Sequence, residues 1–207
     1  MFKIKTSFAI AAFALLTPLA HSAELITNGG FESSSFSGNF QTINAGPGLA
    51  GWSVDSGSVD LINTYWAPAL GQYSLDLNGN SAATISQAFA TVLGQTYNVS
   101  FDMAGNTDGG GNIKTITAGV TGSNTFTFDA AGKSHGSMGW ESRAFSFVAT
   151  SALSTLYFSG SPANTYYGAA LDNISVTAAV PEPETYGMLL AGMGLFGFLA
   201  RRRNSAK

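Results

Sequence analysis

Gly132-Lys133-Ser134-His135-Gly136 has the G-x-S-x-G spacing of a nucleophile elbow, and His135 beside the serine is the one histidine of the chain's body. An elbow works by turning a strand sharply into a helix so that the serine hydroxyl stands exposed, and neither that helix nor a strand-helix alternation is written here. The overlapping Ala131-Gly132-Lys133-Ser134 resembles the end of a phosphate loop, but its first glycine would fall at Thr127 and no helix follows. With no cysteine and a second histidine only at His21, thiol catalysis and His- or Cys-ligated zinc are excluded. Paired carboxylates capable of glycoside hydrolysis are compatible with the composition, but spacing along the chain brings no two together.

A different chemistry is offered by flat rings. Tyr65, Trp66, Tyr166 and Tyr167 fall in loop-like stretches, where they present faces on which the apolar side of a sugar can lie. Asn106 and Asp108, in the loop "AGNTDGGGN", supply an amide and a carboxylate for hydroxyl groups. The bland alternatives stand beside these readings: a Gly- and Asn-rich loop is ordinary turn chemistry, Trp52 and Trp140 beside glycines read as core residues, and Trp66 also suits the closing of one end of the fold.

The elements that must position these residues are strands. Tyr97, Val99, Phe101 and Met103 share one face of an extended segment, as do Tyr73, Leu75 and Leu77 before the turn signal Asn78-Gly79. Phe126 with Phe128, Phe145 with Phe147, and Leu156 with Phe158 repeat the period. No window of the body keeps a helical period over three turns. The reading is an all-β jelly-roll sandwich of about nine or ten strands, with loops concentrated at residues 33–48 and 105–112. Between Glu24 and Asp172 stand ten acids against Lys114, Lys133 and Arg143, a formal charge of −7 that excludes a nucleic-acid partner held through its phosphates. No disulfide is available, so packing must carry the fold.

The two ends differ from this body. Lys3 and Lys5 lead into the apolar run Phe8 to Leu16, the pattern of a secretory signal peptide, with cleavage expected after Ala23 although His21 fits the cleavage pattern poorly. This divides the chain into a signal peptide at 1–23, a β-sandwich domain at 24–179 and a C-terminal segment at 180–207. In the last, Pro181-Glu182-Pro183 keeps the backbone extended, and residues 187–200 are wholly apolar or glycine. As a helix that run is about 21 Å long, shorter than the ~30 Å hydrocarbon core. Tyr186 on one flank and Arg201, Arg202 and Arg203 on the other orient it across a membrane with the arginines in the cytoplasm. Such a short span suits a transient stop in transfer, and a permanent single-span anchor is the alternative.

In order, "LITNGGFES", "GWSVDSGSVDLINTYW", "GQYSLDLNGN", "TISQAFATVLGQTYNVSFDMAGN", "MGW" and "GAALDNISV" resemble the bacterial choice-of-anchor C domain, which is similar to galactose-binding-like carbohydrate-binding modules. The resemblance implies a structural calcium held by Glu32 and Asp172, whose alternative role is to accept backbone N–H groups at strand ends. Where relatives carry two adjacent acids, this chain has Asp172-Asn173. The tail resembles the PEP-CTERM sorting signal, which implies an exosortase as processing partner, export through the Sec pathway, passing residence in the inner membrane and a final place at the cell surface or outside it. Three functions follow in order of preference: a non-catalytic surface or matrix protein associated with exopolysaccharide or biofilm, a carbohydrate-binding module for an envelope polysaccharide, and a secreted glycan-active enzyme.

Overall fold

The computed structural model describes residues 22–179, together with Gly187 and residues 191–194, which are helical. Nearly all of the expected signal peptide, and Pro181, Glu182, Pro183, Arg201, Arg202 and Arg203 of the sorting segment, lie outside the described residues. Among the described residues no helix is long and apolar enough to cross a membrane.

Ten strands carry the body: β1 (Phe40–Gly46), β2 (Ser53–Ile62), β3 (Ser74–Asp76), β4 (Thr84–Ala90), β5 (Thr96–Gly105), β6 (Ile113–Gly119), β7 (Asn124–Asp129), β8 (Glu141–Val148), β9 (Leu153–Gly160) and β10 (Ala169–Ala178). Their alternation is that of a sheet with one face in the core. Tyr97, Val99, Phe101 and Met103 of β5 are buried, and so are Leu156 and Phe158 of β9. All pairings are antiparallel, and the hydrogen-bonded path runs β7-β6-β9-β4-β2-β3-β10-β5-β8, with β1 added to β2. The sheet folds over so that β5 packs across the core on β6 and β7. Phe101 of β5 meets Phe126 of β7 at 5.1 Å and Phe158 of β9 at 5.0 Å, both edge to face. The result is the expected all-β sandwich, nearly closed where Arg143 of β8 donates to the Thr127 carbonyl of β7 at 3.0 Å.

One element departs from the sequence reading. Residues 33–48 were expected as loop, yet β1 lies within them, paired with β2 from Phe40↔Ile62 to Gly46↔Val54. Its side chains are exposed or half-buried throughout, so it has no apolar face to announce it. Its hydrogen bonds to β2 define it instead.

The strands also define two ends. Thr96 of β5 lies beside the chain exit, where Ala179 donates to its carbonyl, and Gly105 lies beside the start of β10 at Ala169. Nine strand steps, about 30 Å, separate them. The loops after β5, β7 and β9, which carry most of the candidate residues, belong to the Gly105 end.

Candidate functional site

Cross-strand register builds the floor of a cleft. Thr42, Asp60 and Asp76 face one another in a row across β1, β2 and β3, on the side of the sheet opposite buried Val59, Leu61 and Leu75. Thr42 Oγ1 donates to Asp60 at 2.6 Å. Burial pushes the Asp60 carboxyl up, against the lowering effect of that bond. Asp76 is buried more deeply and its carboxyl is pushed up to about 7, first by burial and further by Asp60 opposite, although the Asn106 side chain and the Asn78 and Gly168 amides all donate to it. These bonds hold the end of β3 to the loop after β5 and to the start of β10.

Beneath the cleft, buried polar side chains tie its loops together. Asn78 Nδ2 donates to the carbonyls of Ser161 and Thr165 at 2.9 and 2.7 Å. The second bond helps hold Thr165 at φ 54°, a left-handed conformation that a β-branched residue resists, immediately before Tyr166 and Tyr167. Asn78 Oδ1 is buried with no donor. It and Asp76 Oδ1 both lie within 2.6 Å of where a Cβ on Gly168 would stand, so only glycine fits there. Buried Asn164 donates to the carbonyls of Gly110 and Ile113, and buried Lys114 donates to those of Gly109 and Tyr167. Burial lowers the Lys114 ammonium, and the carboxylates of Asp76 and Asp108 oppose that shift. Three loops distant in sequence, those after β3, β5 and β9, are thereby fixed around one opening.

All six residues expected to contact sugar line this cleft of about 220 Å³, but they occupy different depths. Tyr166 is 59% exposed at the rim, and Tyr65 and Tyr167 are half-buried. Trp66 is buried, its indole N–H donating to Ser74 Oγ at 2.9 Å, so it shapes a wall. Asn106 is also buried; its amide donates to Asp76 and its carbonyl accepts the Asp108 N–H. Asp108 is exposed and accepts from Tyr65 Oη at 2.7 Å, a bond that pushes the Tyr65 phenol up to about 12. The other Asp108 oxygen meets His135 Nε2 at 2.9 Å, and the His135 and Tyr65 rings lie 4.6 Å apart.

Several cleft residues were not singled out in the sequence. Phe40 sits in β1, a strand without an apolar face, and it meets Tyr65 edge-on at 5.4 Å. Asp60 and Asp76 each interrupt an apolar strand, in Val59-Asp60-Leu61 and Leu75-Asp76-Leu77, a signal that was there to find. His135, whose serine neighbour suggested an elbow, supports the cleft rim. Ser134 lies in a tight turn bridged to Ser137, without the strand-to-helix corner a nucleophile needs.

Glu32 and Asp172 take up the alternative role given above. Glu32 Oε1 accepts the N–H groups of Gln72 and Tyr73. Asp172 Oδ2 accepts those of Ala69 and Leu70, and its Oδ1 accepts that of Asn173. Burial pushes the Asp172 carboxyl up to about 6 against these three bonds. Three of the four oxygens already face amide hydrogens, which turn their positive ends toward any cation. The donor set forms a clamp on the loop from Ala69 to Tyr73. Gly71 completes the clamp: at φ +72°, its hydrogen faces Glu32 Oε1 where a Cβ would stand 2.3 Å away.

A second opening of about 740 Å³ lies along the outer face of β4, lined by Ser53, Asp55, Ser86, Gln87, Ala88 and Thr155 among others. It is larger, but its one aromatic residue, Phe89, is buried. Among the described residues, exposed and half-buried rings gather at the smaller cleft.

The arabinose-bound α-L-arabinofuranosidase MgGH51 shares the fold, with a TM-score of 0.52 at 15% identity, over 76% of this chain and 26% of that one. A family 16 carbohydrate-binding module gives a TM-score of 0.49 at 17% identity over 74% of this chain and 99% of its own. TmCBM61, solved with β-1,4-galactotriose, gives 0.48 at 14% identity over 76% of this chain and 100% of its own. By sequence, halomucin of Haloquadratum walsbyi is 32% identical over 173 residues; the match takes in 80% of this chain and spans about 2% of halomucin's length. Residues 179–203 match the PEP-CTERM protein-sorting motif, which implies export and sorting to the cell surface. Residues 24–177, nearly the whole body, match the family described as "Protein of unknown function (DUF642)", a different name from the choice-of-anchor C domain that the motifs resemble. The chain therefore belongs to the DUF642 family and carries a PEP-CTERM sorting motif behind its family domain.

Proposed function

We propose that this protein is a non-catalytic, exported glycan-binding protein that an exosortase processes and that comes to rest in a polysaccharide-rich envelope or matrix. The observation that carries the reading is the convergence of Tyr65, Tyr166, Tyr167 and Phe40 with Asp60, Asp108 and Asn80 on one cleft. Rings offer the flat apolar surface that the C–H face of a pyranose covers, and carboxylate and amide groups fix its hydroxyls.

The same site speaks against hydrolysis. Of the three acids in the cleft, Asp60 and Asp76 face each other, but Asp76 is buried beneath Asn106 and accepts three hydrogen bonds, so it does not stand beside a scissile bond, and Asp108 is engaged by Tyr65 and His135. His135 is engaged by Asp108, and Ser134 is not its hydrogen-bond partner.

A glycan array probed with residues 24–179 tests the reading, followed by titration of the best oligosaccharide against Tyr166→Ala. Covering roughly 60 Å² of ring at about 25 cal/mol per Å² gives about 1.5 kcal/mol, so the substitution weakens binding about tenfold. Binding left unchanged by Tyr166→Ala and Tyr65→Ala together would remove the cleft from the account.

A further inference from the structure

The end of the sandwich away from the cleft is apolar and uncharged. Val92 and Leu93, at the tip of the β4–β5 loop, are 66% and 71% exposed, and Val148 and Leu153 beside them are 51% and 62% exposed. Register makes these one patch: Ala90 pairs with Leu153, Thr96 pairs with Val148, and Thr91 donates to the Ala152 carbonyl. Residues 88–100, 144–159 and 174–179 contain no Asp, Glu, Lys or Arg, in a body with a formal charge of −7. Within the body, the acid beside the chain exit is Glu24, and its carboxylate is taken up by the N–H groups of Leu25, Ile26 and Val176 and the Ser175 hydroxyl; Glu182 and Glu184 follow in the tether itself.

Both ends of the body leave from this same pole. Glu24 bridges Thr177, Leu25 donates to the Val176 carbonyl, and Ala179 donates to Thr96. Only residues 180–186 separate Ala179 from the apolar run at 187–200, and seven residues span at most about 25 Å. A tether that short brings the pole to whatever surface the apolar run enters.

We propose that the Val92–Leu93–Val148–Leu153 pole rests on the lipid surface while the chain is still attached through its C-terminal segment. This rests on the reading that the segment enters a bilayer. Four exposed aliphatic side chains without a neighbouring carboxylate can sink into the headgroup boundary, whereas the acidic remainder of the body is repelled by anionic lipid. Because β5 separates the pole from Gly105 by about 30 Å, the cleft then faces away from the membrane and toward surrounding polymer before processing releases the body.

The chain has no cysteine, so single labelled positions are clean probes. Residues 24–207 carrying Leu93→Cys or, at the cleft, Asn80→Cys are labelled with an environment-sensitive fluorophore. Each is reconstituted into phosphatidylethanolamine–phosphatidylglycerol vesicles containing a doxyl-quencher lipid. Flotation reports insertion of the tail, and quenching reports contact of the pole. The expected result is flotation of both proteins, with several-fold stronger quenching at position 93 than at position 80. Val148→Asp with Leu153→Asp should abolish that difference without abolishing flotation. Flotation with equal quenching at the two positions overturns the docking inference alone, and failure to float overturns the insertion reading with it. A blue-shifted label at position 93 that lipid does not quench points to a second copy on the patch, which also overturns the inference.

Discussion

Asp76→Asn removes a buried carboxyl whose proton is held more tightly in the folded protein than in the unfolded chain. The folded group sits at about 7 and the ordinary value is 3.8, with burial as the main cause and Asp60 opposite adding to it. A raised carboxyl pKa means that unfolding releases a proton between about pH 4 and pH 7, so stability is highest below that window and falls as pH rises through it. About three pH units at about 1.4 kcal/mol each make the effect on the order of 4 kcal/mol. Urea denaturation of the body and of Asp76→Asn at pH 4.5 and pH 7.5, followed through buried Trp52 and Trp66, measures it. The expected outcome is a wild-type loss across the window larger than the variant's by several kcal/mol. Asp172, pushed up to about 6, leaves a smaller fall of the same sign in both proteins. Parallel pH profiles would refute the assignment of the proton to Asp76.

Gly71→Ala forces a side chain into Glu32 Oε1 at a positive φ, and at a cost of about 2 kcal/mol it should lower the Tm by about 4–8 °C in a thermal melt. Asn78→Ala leaves the Ser161 and Thr165 carbonyls without their donor and releases the Thr165 strain, so limited proteolysis should cut within residues 161–167 faster than in wild type. Because the Glu32 and Asp172 oxygens face amide hydrogens, EDTA should leave the melting curve where it is; a fall of several degrees would replace the amide clamp with a metal.

The strands were legible because their apolar faces keep a period of two, as Tyr97 to Met103 shows. β1 was not, because Phe40 to Gly46 buries no face and is a strand only by its pairing with Asp60 and its neighbours. The cleft was half legible. Aromatic residues in loops stood out as Tyr65, Tyr166 and Tyr167, but sequence carries no depth, so Trp66 and Asn106 read as contacts although they lie underneath. Asp60 and Asp76 are sixteen residues apart and become neighbours only through β2–β3 register. His135 meets Asp108 through two loops that the topology brings to one end, a juxtaposition no local motif encodes.

The central claim is that sugar lies on the tyrosine-lined cleft. Backbone amide chemical-shift mapping of the isotopically labelled body, titrated with the oligosaccharide selected on the array, tests it most directly. The account predicts perturbations at Tyr65, Asp108, Tyr166 and Tyr167, with the β4 groove at Ser53, Ser86 and Ala88 silent. Shifts confined to that groove, with the tyrosine amides unmoved, would contradict it.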